Sequence, residues 1–463
     1  MRSEGARGRG GERERGREGE GRDTIRSLIL SPCRPLAPSP PRPLTLSLLA
    51  LCLLVCWAAL AAQAQEARPP LTLEERIKVF EQVWQAVNDN YYDKNFHGVG
   101  WRGLHASYRP LVEAARDNAE FYHVLRRMVG ELRDAHTRVY APEEGFDRYR
   151  PTGLTVGVLV RRVEGRPVVV WVEPGSEAAQ QGIRPGFAVT AVNSTPVERA
   201  LTRARDEFGD SSSPTAGDLQ SFNRLFYGPR DTAVAVTFLD EEARTRTLRL
   251  MRRLTEFPRR VTARWLPGEL GYIEVTGFAP EIEHDFERAL KSLGEARGLI
   301  LDLRNNGGGF VRTVVQVASY FFADETSLGE FITRQGRSLG HRTRRLSFVY
   351  HRPVVVLVSA RSASGAEMLA ATLQETQRAV VIGTSLTTCG CLLGVSRTLR
   401  LPDGGKLNVS DTDYRTAHRQ RIEGAGLRPD RRVEERITDL LAGRDRPLET
   451  AVEHLLRVPN DER

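Results

Sequence analysis

Apolar residues recur at intervals of three and four between residues 71 and 134, in Ile77, Phe80, Val83, Trp84 and Val87 and again in Phe121, Val124, Leu125, Met128 and Leu132. One face of a helix repeats with that period, so the stretch predicts a helical unit whose aromatic residues, Trp84, Tyr91, Tyr92 and Trp101, belong to its core. From 151 to 255 the period becomes two: Leu154-Thr155-Val156-Gly157-Val158-Leu159-Val160, then Pro167-Val168-Val169-Val170-Trp171-Val172, then Ala233-Val234-Ala235-Val236-Thr237-Phe238. Alternation marks half-buried strands, and the Gly and Pro residues between the runs supply the turns of a small β-rich domain. A polar stretch over residues 200–228, containing Asp210-Ser211-Ser212-Ser213-Pro214, interrupts this pattern and reads as an exposed loop with a short helix. After Gly271, apolar runs at 272–275, 298–303, 354–359 and 380–383 alternate with helical patterns that follow Glu281, Thr313 and Gly365, the order expected of a layered α/β domain. Leu401-Pro402-Asp403-Gly404-Gly405-Lys406-Leu407 signals a hairpin, and residues 447–456 a closing helix.

The fold class that follows is α/β, with a helical unit at 65–149, a β-rich domain with a polar insertion at 150–257 and a layered core at 258–463. A chain of 463 residues, 40% hydrophobic, has enough apolar material for two or three such cores. Residues 1–64 differ in kind. They hold ten Arg against six Asp and Glu, so +4 of the net charge of +8 belongs to them. Residues 1–43 read as a solvated, disordered extension, and the apolar run 44–60 followed by Ala62-Gln63-Ala64 reads as a secretory signal, with the mature chain starting near Gln65. Export to a periplasmic or extracellular space is expected. The alternative is an uncleaved anchor, because roughly 17 apolar residues reach the short limit for spanning. No later stretch interleaves dense basic residues with aromatics, so nucleic acid is not an expected partner, and a membrane is one only through an uncleaved leader.

Cys33, Cys52 and Cys56 lie in residues 1–64 and would leave with the leader; Cys389 and Cys391 remain, too few for a disulfide framework. Burial as small hydrophobes, a local disulfide, or metal binding with distant partners stay open for this pair.

Ser364 stands where the apolar run ending at Ser359 passes through Arg361-Ser362-Ala363-Ser364-Gly365 into the helical pattern Ala366-Glu367-Met368-Leu369. A helix start offers unpaired N–H groups and a positive dipole end, which suit a nucleophilic hydroxyl and the oxyanion it generates. Ser364-Gly365-Ala366-Glu367 is equally a capping box, in which the serine only closes the helix.

Three stretches in one order carry a family resemblance. Glu173-Pro174-Gly175-Ser176-Glu177-Ala178-Ala179-Gln180-Gln181-Gly182-Ile183-Arg184-Pro185-Gly186 is similar to the core of a PDZ domain, with Phe187 where an acidic residue is usual. Asp302-Leu303-Arg304-Asn305-Asn306-Gly307-Gly308-Gly309 is similar to a D-x-R-x-N-x-G-G loop, and Ser362-Ala363-Ser364-Gly365-Ala366-Glu367 resembles the serine motif of the tail-specific, or carboxy-terminal processing, proteases. The resemblance implies a PDZ-like unit within 150–257, a serine-protease core, and acyl transfer through Ser364 without a metal or organic cofactor. The family's usual base is a lysine 25 residues after the serine, and here that position is Cys389. Of the four lysines, Lys78, Lys94, Lys291 and Lys406, none falls there.

A second branch, which includes the tricorn core protease, uses histidine. Gly130-Glu131-Leu132-Arg133-Asp134-Ala135-His136-Thr137 is similar to its motif, with Ala135 where tricorn has a serine, and Ile422-Glu423-Gly424-Ala425-Gly426 is similar to the stretch that carries its glutamate. This implies a catalytic set of Ser364, His136 and Glu423, with oxyanion donors on Gly365 and one of Gly307 to Gly309, taken as Gly308. Gly153-Leu154-Thr155-Val156-Gly157 would receive a substrate's C-terminal tail, as PDZ strand edges do. The expected function is an exported serine endopeptidase acting on polypeptides with accessible C-termini. The missing lysine leaves open an inactive PDZ-bearing peptide-binding scaffold of the same fold.

Overall fold

The computed structural model describes residues 69–144, 146–147, 149–208 and 211–458; the basic leader and its apolar run lie outside them. Helix α1 (Leu73–Asn90) starts at Thr72, where the Thr72 hydroxyl accepts from Glu75 N–H and the Glu75 carboxylate accepts from Thr72 N–H. It turns Val79, Phe80, Val83 and Val87 inward. Helices α2 (Trp101–Ala114) and α3 (Asn118–Gly130), the latter capped by Asp117, close over that face with Trp101, Phe121, Leu125 and Met128. Tyr91 and Trp101 are buried in this cluster as the spacing predicts, while Trp84 and Tyr92 pack at its margin. Each large apolar side chain removed from water contributes about 1.5–3 kcal/mol, which is what holds three short helices together. Strand β1 (Arg138–Tyr140) leads out of the unit.

The alternating stretch forms β2 (Thr152–Thr155), β3 (Val158–Val163), β4 (Arg166–Val172), a one-turn helix α4 (Glu177–Gln180), β5 (Ala188–Val192) and β6 (Thr195–Pro196). Helices α5 (Val197–Phe208) and α6 (Pro214–Arg224) follow, then β7 (Ala233–Leu239), β8 (Thr245–Met251) and β9 (Arg253–Glu256). The sheet runs β3-β4-β5-β7-β8 with β6 on β5, and β2 pairs separately with β9. In place of the expected exposed loop with a short helix, residues 200–228 hold this pair of helices, because Leu201, Ala204, Ala216 and Phe222 face inward among polar neighbours. Ser213 caps α6, with Pro214 in its first turn.

The remaining chain builds β10 (Val261–Leu266), β11 (Leu270–Val275), α7 (Ile282–Ser292), β12 (Gly298–Asp302), α8 (Val311–Ser319), β13 (Ser327–Thr333) and β14 (Ser338–Arg342). After these come β15 (Val354–Val358), α9 (Gly365–Glu375), β16 (Ala379–Gly383), β17 (Leu393–Gly394), β18 (Thr398–Arg400) and β19 (Lys406–Asn408). The last elements are β20 (Thr412–Arg415), β21 (Arg431–Arg432), α10 (Ile437–Leu441) and α11 (Arg446–Arg457). A six-stranded sheet in the order β10-β11-β12-β15-β16-β21 lies at the centre, parallel from β11 onward. Its continuous apolar runs are explained by burial on both faces. Val354, Val356 and Val358 meet α7, α8 and α9 on one side, and Val355 and Leu357 meet Ala451 and Leu455 of α11 on the other. The predicted hairpin is β18–β19; β1 pairs with β19, so the helical unit completes its apolar cluster with Leu401, Leu407 and Val409. Among the described residues no helix is long and apolar enough to cross a membrane.

Candidate active site

Strands β12 and β15 run parallel as neighbours, so the loops leaving their carboxyl ends open side by side. In the β12 loop, Asp302 accepts hydrogen bonds from Tyr272 Oη at 2.8 Å and from Arg304 N–H at 2.9 Å. The Arg304 guanidinium then bridges Asp302 to Asp445, the residue that caps α11. Asn306, fully buried, donates to the Val275 carbonyl at 3.0 Å, and its own carbonyl accepts Ala363 N–H at 3.0 Å. The D-x-R-x-N residues therefore stitch the glycine loop to the sheet and to the serine loop. A Cβ on Gly308, at φ +90°, would lie 2.7 Å from Ser364 Cβ and 2.8 Å from Gly365 N, so only glycine admits this approach.

Ser364 itself has φ 54° and ψ −116° at the start of α9. An N-cap residue normally lies in the extended region, so closing the helix does not call for this conformation. The N–H groups of Gly365 and Gly309 have no hydrogen-bond partner among the described residues. The N–H of Gly308, the expected second donor, goes instead to Asn306 Oδ1 at 2.8 Å. Asn306 thus uses Gly308 to shape the turn and leaves the next amide, that of Gly309, unengaged.

His136 sits on the loop between α3 and β1. Asp134 pins that loop by accepting His136 N–H at 2.6 Å and Thr137 N–H at 3.1 Å. The His136 Nδ1 is buried without a partner among the described residues, and burial holds the imidazole below its ordinary pKa of 6.5. Ala135 and Ala363, the residues directly before His136 and Ser364, pack against one small cluster formed by Ala216, Cys389 and Cys391. Glu423 is 5% exposed and accepts Leu392 N–H at 2.7 Å. Its carboxyl is pushed up to about 8, first by burial and then by nearby Asp134. Ser212 links it to the histidine loop: the hydroxyl bonds the Glu423 carboxylate and accepts Ala135 N–H at 2.8 Å.

Ser212 and Ser213 are residues the sequence reading passed over. Their polar segment reads as an exposed loop with a short helix, yet Ser213 Oγ donates to the Cys389 carbonyl at 2.5 Å. The Ser-Pro pair that starts α6 was the available sign of an ordered turn. Glu367, read only as a capping partner, is fully buried. It accepts Ser364 N–H at 2.9 Å, Gly390 N–H at 2.8 Å, Cys391 N–H at 3.1 Å and the Thr388 hydroxyl. Burial pushes its carboxyl up to about 7 against those donors. Cys389 and Cys391 are joined as a disulfide, Cα to Cα 5.2 Å, in the place where the lysine turn was sought. Lys291 pairs with Glu287 on α7 and Lys406 with the Phe146 carbonyl; Lys78 lies on α1 and Lys94 after it, so none occupies that turn.

Of the expected tail-binding residues, Gly153, Leu154 and Thr155 belong to β2 and pair with Thr255, Leu254 and Arg253 of β9. Val156 is buried in the domain core, and Gly157 N–H donates to Thr155 Oγ1 at 2.9 Å. The strand that follows them, β3, is the outermost of its sheet.

Residues 269–433 match peptidase family S41, and residues 73–130 match the tricorn protease C1 domain. A carboxyl-terminal-processing protease of Synechocystis sp. is 29% identical over 380 residues, covering 79% of this chain and 82% of that one. A chloroplastic C-terminal processing peptidase of Tetradesmus obliquus is 28% identical over 415 residues, covering 83% and 81%. Among solved structures, a photosystem II D1 C-terminal processing protease superposes with a TM-score of 0.53 at 27% identity, over 79% of this chain and 94% of that one. Mature CPAF superposes with a TM-score of 0.59 at 14% identity, over 81% and 96%, a likeness of fold. The order of motifs, the glycine loop against the serine helix and these matches agree: residues 269–433 carry a peptidase family S41 domain, in a chain similar over 79% of its length to a carboxyl-terminal-processing protease.

Proposed function

We propose that this protein is an exported serine endopeptidase that cleaves polypeptides selected by their C-terminal tails, with Ser364 as nucleophile, His136 as general base and Glu423 as the acidic partner. The observation that carries this is the left-handed backbone of Ser364, at φ 54°, beside two glycine N–H groups without partners among the described residues. Such a conformation costs a non-glycine residue about 1–3 kcal/mol and persists where function uses it. A serine hydroxyl needs an adjacent base at neutral pH; His136, held neutral by burial, takes its proton and returns it to the leaving amine. The N–H groups of Gly365 and Gly309 steady the oxyanion. Glu423 acts on the histidine through Ser212 and the Ala135 amide, keeping the loop in register. Export rests on the apolar run and the Ala62-x-Ala64 pattern of the leader.

The test is turnover of a disordered test polypeptide by purified protein. Ser364→Ala should lower kcat roughly 10³-fold or more, and His136→Ala roughly 10²- to 10⁴-fold, with circular dichroism unchanged. Cleavage that survives both substitutions overturns the assignment, and a wild-type chain that binds tails without cutting them makes the protein a peptide-binding scaffold.

A further inference from the structure

The turn at Thr388-Cys389-Gly390-Cys391 does not face solvent. Cys389 is 7% and Cys391 4% exposed, and the Thr388 hydroxyl accepts Leu427 N–H at 2.8 Å while bonding Glu367. Cys389 N–H donates to the Ser362 carbonyl at 3.1 Å, two residues before the serine. Gly390, at φ +67°, has no room for a side chain: a Cβ would lie 2.9 Å from Gly426 N and 3.2 Å from Ser213 Cβ. The consequence is that the amides of Gly390 and Cys391 converge on one buried carboxylate, Glu367, whose Oε2 also holds Ser364 N–H. A link of only one residue between the two cysteines fixes the direction of both amides as long as the sulfurs are joined.

We propose that Glu367 and the Cys389–Cys391 disulfide act as one positioning unit, in which the closed turn anchors Glu367, Glu367 holds the amide of Ser364 in its left-handed conformation, and opening of the bridge by a dithiol reductant switches turnover down. The inference rests on the reading of Ser364 as nucleophile. In the switching step a dithiol thiolate attacks one cysteine sulfur to give a mixed disulfide, and its second sulfur then closes on the first. The S–S bond of the protein breaks, an S–S bond of the reductant forms, and the two protons of the reductant end on the Cys389 and Cys391 thiols. The freed turn no longer fixes the Gly390 and Cys391 amides, and the buried carboxylate loses the donors that held it toward Ser364.

The full-length protein is treated with dithiothreitol under native conditions, with thiols titrated to establish that the bridge has opened. Turnover of the disordered polypeptide and hydrogen exchange at the 364, 390 and 391 amides are then read. Reduction is expected to lower kcat roughly 10²-fold with KM nearly unchanged, as a small misplacement of a reacting group does. Exchange at the three amides should quicken roughly tenfold or more, and reoxidation should restore both readings. The variant carrying Cys389→Ser and Cys391→Ser should behave as reduced wild type and ignore dithiothreitol, which separates this bridge from Cys33, Cys52 and Cys56. Glu367→Gln should match it in kcat and also lose the response. Unchanged exchange at these amides after confirmed reduction overturns the proposal, as does unchanged turnover. A wild-type chain without peptidase activity sinks the reading of Ser364 instead, and the exchange measurement still decides whether the bridge holds its amide.

Discussion

Ser364 answers two demands with one backbone geometry. As the first residue of a helix it accepts Met368 N–H on its carbonyl, while its own amide is claimed by Glu367 rather than left to water. Around it lie carboxyl groups with unusual burial, and these carry the pH behaviour. For Glu423 the folded pKa, about 8, exceeds the ordinary 4.5, so the folded chain keeps a proton that the unfolded chain releases. The stability from the neutral form is therefore full below 4.5 and is lost as pH rises through about 8. Thermal unfolding of wild type and Glu423→Gln across that window tests this: the wild type should lose ground against the variant as pH rises, because glutamine has no proton to give up. Parallel curves would mean that Glu423 titrates alike in both states.

Elements matter here chiefly by where they end. Two parallel strands deliver the glycine and serine loops to one place, and a loop between α5 and α6 delivers Ser212 and Ser213 from another sheet altogether. Ser212→Ala removes the acceptor of Ala135 N–H and a partner of Glu423. A fully buried donor left unpaired costs about 1–3 kcal/mol and this one is part-buried, so the variant should unfold at a modestly lower denaturant concentration. Its kcat should fall while binding of a tail peptide stays as in wild type, since the strands of the β-rich domain are untouched. A variant as stable and active as wild type would show that Ser212 is a bystander.

At the scale of the whole molecule, the apolar clusters are joined by pairings that cross the chain. Strand β1 from the helical unit adds to β19 of the core, and α6 of the β-rich domain caps the space beside the disulfide. The β-rich domain presents β3 as an outer strand of its sheet, directly after the 153–157 stretch expected to receive a substrate's C-terminal tail. Amidating the C-terminus of a substrate removes that charge and the charge-assisted hydrogen bonds it would make, so KM should rise roughly tenfold or more with kcat little changed. Equal turnover of the free and amidated substrates would remove tail selection from the proposed function.

How much of this was legible beforehand follows from the range of each interaction. Helix periods, strand alternation, the hairpin at Leu401 to Leu407 and the serine at a strand-to-helix turn are local properties, written in residues a few places apart, and most reappear with boundaries shifted by a few residues, although the run from Leu154 to Val160 breaks at Val156-Gly157 into β2 and β3 of separate sheets. The helices at 200–228 were obscured because polar residues outnumber the few apolar ones that turn inward, and their order depends on what they dock against. Which glycine amide is left unengaged depended on the side chain of Asn306, and the fate of the two cysteines on a turn held by Ser362, Ser213 and Gly426. The sequence by itself determined the elements, the serine junction and the absence of a lysine from its usual place. Only the tertiary structure decided what surrounds Ser364, since hydrogen bonds between residues tens to hundreds of places apart form when packing brings their elements together and leave no period in the chain.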